Sequence, residues 1–221
     1  MPLTGIVEAG FILRGVFHPV PEDGVPEIAP GRSARTVALV GNAGPAMWKA
    51  FCAARDPSKD NLDDWSREVL TRLAVDLNAA VHFPSDRPPL PFQRWGRRAE
   101  CCFASPLGIV VHPDFGLWHG YRGAFAFAER LELPSRHEQP NPCEACAERP
   151  CLTTCPVAAF TEERYDVPAC AAHIASPAGK DCLDRGCRAR RACPVGREYR
   201  YEPAQARFHM LAFLRAVRPA A

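Results

Sequence analysis

The chain has no apolar run approaching the ~18 residues that a membrane span requires. Its opening stretch, MPLTGIVEAGFILRGVF, lacks the succession of basic start, apolar region and small-residue cleavage site that marks an export signal. A cytoplasmic protein is therefore expected. Charge of one sign is also scarce: 27 Lys and Arg against 25 Asp and Glu leave a formal net charge of +2. Such a balance gives no general pull toward nucleic acid or membrane. Room for long helices is limited, because the 23 prolines are about twice the usual share and each one breaks a helix interior. Gly41-Asn-Ala-Gly44 has neither the third glycine of a dinucleotide fingerprint nor the Lys-Ser/Thr of a P-loop. It reads as a plain strand-to-helix turn in preference to a phosphate cradle.

Cysteine is what the chain has in excess. Eight of its 11 cysteines lie between Cys143 and Cys193. Disulfides are reduced in a cytoplasmic setting, so clustering of this kind favours metal ligation. Upstream, the sequence predicts an α/β platform over residues 1–134, with strands at Phe11–Phe17, Thr36–Val40, Ala80–Phe83, Leu107–Val111 and Ala124–Leu133. Pro45 opens a helix toward Arg55. A second helix is expected over Asp60–Asn78, capped by Asp60 or Asn61, with Leu62, Trp65, Val69, Leu73 and Leu77 on its apolar face. After a proline-punctuated linker at Pro134–Pro142, the cysteine-rich domain occupies 135–202. Pro203 then opens a last helix, 203–221, expected to pack back on the body through Phe208, Leu211, Ala212 and Arg215.

The cysteines fall into two related runs. The first is Cys143-x2-Cys146-x4-Cys151-x3-Cys155-Pro156, and the second is Cys170-x11-Cys182-x4-Cys187-x5-Cys193-Pro194. Each has three cysteines and then a fourth that precedes proline. Bacterial two-cluster ferredoxins use this logic, with the fourth cysteine crossing to the other cluster. On that logic Cys143, Cys146, Cys151 and Cys193 hold one [4Fe–4S] cluster, and Cys155, Cys170, Cys182 and Cys187 hold the second. Zinc is the rival, but zinc ribbons pair short C-x2-C knuckles, and here only Cys143/Cys146 has that form. One cluster with spare thiols is the other alternative. The fold class expected is an α/β (α+β) platform followed by a ferredoxin-like two-cluster domain.

The cysteine-rich segment resembles the dicluster module of epoxyqueuosine reductase and of corrinoid-dependent reductive dehalogenases. A lone cysteine, here Cys170, stands between a first C-x2-C…C-x3-C-P motif and a later pair that ends in Cys-Pro. Upstream, Leu107-Gly108-Ile109, Pro113-Asp114-Phe115-Gly116-Leu117-Trp118 and Ala124–Leu133 are similar to the strand pair that leads to the clusters in those enzymes. Coverage is about residues 105–200. The resemblance implies clusters that feed a corrinoid on the platform. Two features depart from it. The stretch Arg94–Cys102 lacks the Val-Asp-x-x-Pro context of the reductase's proton donor, and no C-terminal repeat domain for tRNA is present. Epoxyqueuosine reduction itself is not expected, and dehalogenases are longer and carry twin-arginine signals.

The function expected is thus electron transfer by two [4Fe–4S] clusters, with a corrinoid-binding or other cofactor-binding reductase as the alternative. His112, His119, Tyr121 and Arg122 around Trp118 are the candidates to face such a cofactor, against the plainer reading of buried hydrogen-bonded side chains. Cys52, Cys101 and Cys102 are left over; Cys101-Cys102 reads as a redox thiol pair or as small core residues. Between Arg185 and Arg200 stand six arginines against one acid, Glu198. These would raise the potential of a nearby cluster or dock an acidic redox partner.

Overall fold

The computed structural model describes residues 4–54, 61–135 and 138–217. Along the chain run α1 (Thr4–Glu8), β1 (Ile12–Phe17), β2 (Thr36–Ala43), α2 (Ala46–Ala54), α3 (Leu62–Asp76), β3 (Ala80–His82), α4 (Phe92–Ala99), β4 (Phe103–Ala104), β5 (Val110–Val111) and β6 (His119–Phe127). Then follow α5 (Pro150–Thr153), α6 (Val167–Ala175), α7 (Lys180–Arg185), α8 (Arg188–Ala192) and α9 (Pro203–Val217). The class is mixed α/β. The chain divides into two compact units, Met1–Cys102 with His119–Gln139, and Phe103–Trp118 with Pro140–Ala221.

The first unit is organised by an antiparallel sheet of order β1-β2-β6-β3. Strand β2 is central, and its unbroken apolar run Val37-Ala-Leu-Val40 is buried on both faces. Val37 and Leu39 share a cluster with Phe92, Trp95 and Ala99 of α4. These α4 positions follow the i, i+3, i+4, i+7 pattern once Gly96 is included. On α3, Asn61 caps the first turn by accepting from the amides of Asp63 and Asp64. The buried stripe is Leu62, Ser66, Leu70 and Ala74, one position round from the expected face, with Trp65, Val69, Leu73 and Leu77 half-buried beside it. The shift follows from what the helix covers. Trp65 stacks on Phe11 at 5.3 Å, while Leu70 lies over Gly123, where a Cβ would come within 2.7 Å of its side chain. Asp60, the expected alternative cap, and Arg55, the expected end of the preceding helix, lie outside the described residues.

Two bulges interrupt this sheet. Register slips between Leu13 and Gly15 on β1, and again opposite Val40/Gly41 on β2, so that Arg14 and Arg122 are the extra residues. The second slip turns Tyr121 onto the same face as Ala124, toward α4. Two strand expectations need correction. The stretch Leu107–Val111 contributes only Val110–Val111, because Gly108, at φ +73°, turns the chain and donates its amide to Ser105 O. Ala124–Leu133 is observed as His119–Phe127, and it pairs with β2 and β3 whereas β5 pairs with β4. The two are therefore not partners in one sheet.

The second unit has little regular structure apart from α9. Its buried cluster comprises Leu107, Val111, Leu117, Ala159, Phe160, Cys170, Ile174, Cys182 and Ala189. Helix α9 packs on that cluster through Met210, Phe213 and Leu214, with Gln205 and Ala206 buried. The expected face of Phe208, Leu211, Ala212 and Arg215 is displaced, since an exposed Arg215 occupies the outer side.

Candidate metal centre

Two short helices of the second unit organise its cysteines. Helix α5 contains Cys151, and Cys155-Pro156 follows directly; α8 is bounded by Cys187 at its start and by Cys193-Pro194 at its end. The two helices pack together. Each therefore presents one thiol to either side. Cys143, Cys146, Cys151 and Cys193 line one cavity, together with Pro106, Val111 and Arg149. Cys155, Cys170, Cys182 and Cys187 line another, walled by Phe160, Ile174, Ala189 and Met210 together with His173 and Arg188. Cys170 is placed by α6, whose N-terminus is capped by Asp166 accepting from the Ala169 amide at 3.0 Å. Cys182 is placed by α7.

Cys193 follows Cys155 by 38 positions yet lies with the first three cysteines. A clamp explains its return. The His112–Gly116 turn is closed by reciprocal backbone bonds of 2.8 Å, and His112 Nδ1 accepts from the amides of Asp114 (3.0 Å) and Phe115 (3.3 Å). Gly116 and Gly196 meet backbone to backbone. A Cβ on Gly116 would stand 2.1 Å from Val195 O, and one on Gly196 would stand 2.3 Å from Phe115 C. Phe115 packs edge-on against Tyr199, and Trp118 against Tyr201. Arg190 lies over both the Trp118 and Tyr201 rings, at 4.5 and 4.7 Å, and donates Nε to Leu117 O at 3.0 Å. The chain on either side of Cys193 is held at several points.

Electrostatics separates the same two groups of thiols. Burial pushes the thiols of Cys143, Cys151 and Cys193 up; among them the neighbouring sulfurs that add to this all belong to the first group, and Arg149, Arg197 and Arg200 oppose it. Burial likewise raises Cys170, and it raises Cys187 to about 11; their sulfur neighbours are Cys155, Cys170 and Cys182. In both groups burial thus disfavours the thiolates of the members named here, a cost that a nearby cation offsets. Among the described residues, no three His, Cys, Asp or Glu side chains converge closely enough to hold a single metal ion.

The arginine segment divides into two kinds. Arg190 and Arg191 are half-buried, Arg190 in its aromatic box and Arg191 bound to Asp181 and to Gly186 O. Arg185, Arg188, Arg197 and Arg200 are exposed.

The four residues singled out for a cofactor have separate engagements. His112 belongs to the second unit and organises its turn, as above. Arg122 pairs with Asp63 at 3.0 Å, and His119 lies edge-on to Tyr121 with ring centroids 6.1 Å apart. Tyr121 joins a buried polar group that the sequence did not reveal. Its hydroxyl donates to Glu100 Oε1 at 2.7 Å, and Arg14 donates to both carboxylate oxygens, at 2.7 and 3.2 Å. Cys102 adds its thiol to Glu100 at 3.4 Å. Arg14 also reaches Asn42 O, and Gly96 leaves room for the phenol, since a Cβ there would stand 2.1 Å from the hydroxyl oxygen. Burial raises the Glu100 carboxyl in spite of the Arg14 charge, and it pushes Cys102 up to about 12. Cys102 is thus an inert member of the core. Cys101 contacts the backbone at Gln139, and Cys52 is exposed. The only sequence signal for this group was an acid between arginines and cysteines in Arg97-Arg-Ala-Glu-Cys-Cys102.

No protein-family model matches the chain. No curated protein matches it either. Solved structures do. The B12-trafficking protein CblC of C. elegans is 14% identical, with a TM-score of 0.47 over 99% of this chain and 96% of that one. An epoxyqueuosine reductase bound to an epoxyqueuosine-modified tRNA stem loop is 15% identical, with a TM-score of 0.50 over 92% of this chain and 69% of that one. Epoxyqueuosine reductase from Streptococcus thermophilus is 15% identical, with a TM-score of 0.53 over 92% of this chain and 68% of that one, so the mixed α/β fold of this chain is similar to the fold of that enzyme.

Proposed function

We propose that this chain is an iron–sulfur electron-transfer protein of the cytoplasm. Its second unit, a ferredoxin-like domain, carries one [4Fe–4S] cluster on Cys143, Cys146, Cys151 and Cys193 and another on Cys155, Cys170, Cys182 and Cys187. The observation that carries the reading is the pair of cavities, each walled by four thiols and neither by a carboxylate. The donor set fits the group, because thiolate is the usual ligand of iron–sulfur clusters. When bound, the clusters supply one-electron capacity. The chain's own residues do the rest. The thiols surrender their protons on loading, which makes assembly pH-dependent. Phe160, Ile174, Ala189 and Met210 keep water from the second site, and Arg149, Arg197 and Arg200 place positive charge beside the first.

Anaerobic reconstitution tests this directly. The expected product is brown and holds about eight iron and eight sulfide per chain. A colourless zinc protein overturns the reading. Cys193→Ala is expected to lose the cluster of Cys143, leaving about half the iron; loss of the Cys155 cluster in its place refutes the crossed pairing. The exposed Arg185, Arg188, Arg197 and Arg200 form a basic surface that suits an acidic redox partner. Replacing them by Gln is expected to slow reduction by an acidic donor at low salt and to leave the rate at high salt unchanged.

A second reading is favoured by one observation. The likeness to epoxyqueuosine reductase spans 92% of the chain and so includes the first unit, which a plain two-cluster ferredoxin does not need. In that reading the protein is a reductase that binds a corrinoid or another flat cofactor, with His119, Tyr121 and Arg122 of the first unit as candidate contacts. Titrating cob(II)alamin into the holoprotein distinguishes the two. Micromolar binding with a base-off spectrum selects the reductase, and no spectral change selects electron transfer alone.

A further inference from the structure

Helix α7 carries Cys182, and α8 begins directly after Cys187, so the charges on these helices stand beside the second group of thiols. Five cations there share two acids. Asp181 takes Arg191 and has Arg185 and Arg188 at 3.9 and 3.8 Å, while Asp184 takes Lys180 at 2.8 Å and Arg207 of α9. The two carboxylates hold these side chains in a fan and leave an excess of positive charge. Lys180 and Arg185 stay 78% and 66% exposed, and Arg188 and Arg207 stay 48% and 47% exposed, so a partner can reach them. Arg188 also lines the cavity of the second thiols, as do Pro156 and Val157, which are themselves exposed. At Pro156 and Val157 a single layer of apolar side chain therefore separates that cavity from solvent. The open groove beside the first group differs in charge. There Cys143 lies with Glu144 and Glu162, and Arg149 is already bound to Glu162.

We propose that the face formed by Pro156 and Val157 with Lys180, Arg185, Arg188 and Arg207 docks a small acidic electron-carrier protein, so that electrons enter the chain at the second site. The inference rests on the two-cluster reading and adds to it the place where the partner meets the chain. One electron passes from the reduced carrier to the second site. The carrier is oxidised by one electron, and no bond forms or breaks. An apolar centre with a charged rim is the usual anatomy of a protein–protein contact. The rim cations set the encounter rate and its salt dependence, and the centre excludes water. Single-stranded nucleic acid is gripped by aromatic rings between the cations, whereas the exposed centre here is aliphatic.

The probe is a flavodoxin, a small acidic flavoprotein, mixed with the reconstituted holoprotein. The chain has three lysines, Lys49, Lys59 and Lys180, and carbodiimide joins a lysine amine directly to a carboxylate of a docked partner. At low salt the cross-link to flavodoxin is expected at Lys180. A product joined only through Lys49 or Lys59 overturns the proposal, as does no product. In stopped-flow mixing with flavodoxin hydroquinone, Lys180→Gln combined with Arg185→Gln is expected to slow reduction about tenfold at low salt, with the iron content unchanged and the difference closing at high salt. Arg197→Gln with Arg200→Gln, beside Cys193 of the first site, is expected to slow it less, and an equal or larger loss there overturns the proposal. Val157→Asp, which sets a like charge at the centre, is expected to weaken both the cross-link and the rate; if it loses iron, the wild-type cross-link and the rim variant decide. Retardation of a single-stranded RNA that the rim variant abolishes, with the flavodoxin rate unmoved, assigns the face to nucleic acid and refutes the docking. A wild-type protein that takes up no iron and sulfide removes the electron-transfer reading and this inference with it, whereas full clusters with an unmoved rate remove this inference only.

Discussion

Take the cysteines away from the first unit and its core is hardly touched; take them from the second and much of the core wall goes. The cluster on α4 of the first unit is built from Phe17, Val37, Leu39, Phe92, Trp95, Ala99 and Ala124. In the second unit Cys170 and Cys182 belong to the buried cluster itself, and Cys143, Cys151, Cys155, Cys187 and Cys193 pack on it. The secondary structure follows the same division. The first unit has strands of 8 and 9 residues paired over most of their length, while α5, α7 and α8 of the second have 4, 6 and 5 residues. Helices so short do not persist by themselves. Apolar burial holds the first unit together, and on our reading the second depends on what its thiols bind.

The largest expected effect breaks that comparison directly. Anaerobic chelation of iron from the holoprotein is expected to strip hydrogen-exchange protection from α6, α7 and α8, while β2 and β6 keep theirs. Uniform loss across both units, or none in either, would mean that the difference in core composition has no energetic weight.

The converse experiment targets the first unit. Glu100→Gln leaves the Arg14 guanidinium, whose side chain is 0% exposed, without its counter-charge. Removing one partner of a buried ion pair costs about 3–5 kcal/mol. Exchange protection in β1 and β2 is expected to fall by that amount, with the second unit's iron content and protection intact. The cost also has a pH dependence of known sign. Burial raises the Glu100 carboxyl in the folded state, so the stability tied to its neutral form is fully present below its unfolded value and is lost as pH rises through the folded one. The glutamine side chain does not titrate, so the difference between the two proteins should be largest in acid and shrink as pH rises through the folded value.

How much was legible beforehand differs between the units for the same physical reason. Strand β2 could be read because Val37–Val40 is a continuous apolar run with β-branched members, and α3 because its apolar spacing is long enough to be unambiguous. Helix α4 was hidden. Its 8 residues follow a proline-rich stretch and contain Gly96 and three arginines, so propensity argued against the periodicity that Phe92, Trp95 and Ala99 carry. The two bulges could not be read either, because the sequence of a strand does not say where its partner slips; hence Arg14 and Tyr121 were not linked to Glu100. In the second unit the cysteine spacing was plain, since a pattern of cysteines is read from residue identity and not from local conformation. The clamp that returns Cys193 was not plain. It depends on Gly116 and Gly196 meeting across 80 positions of sequence, which no local pattern encodes.

The smallest effect sharpens the comparison within the first unit by testing a polar contact at the end of β3. Asp86 accepts from the Phe83 amide at 2.8 Å and pairs with Arg67 at 2.7 Å, while the same guanidinium lies 4.1 Å from the Phe83 ring centroid. Burial alone would raise the Asp86 carboxyl, but hydrogen bonds from Arg67 and from the Phe83 amide, together with the Arg67 and His82 charges, bring it below its ordinary value. A depressed folded value means that the stabilisation is present above the unfolded value and is lost as pH falls through the folded one. Asp86→Asn keeps the shape and removes the charge. Because the pair is partly exposed, the cost at neutral pH is expected to be only about 1 kcal/mol. It should vanish in acid, below the point where wild-type Asp86 takes up its proton, and be smaller in high salt. Exchange protection at β3, measured across that range for both proteins, decides the matter: a difference independent of pH would show that the aspartate acts by its shape alone, and that polar contacts at this edge add nothing to the apolar burial on which the unit rests.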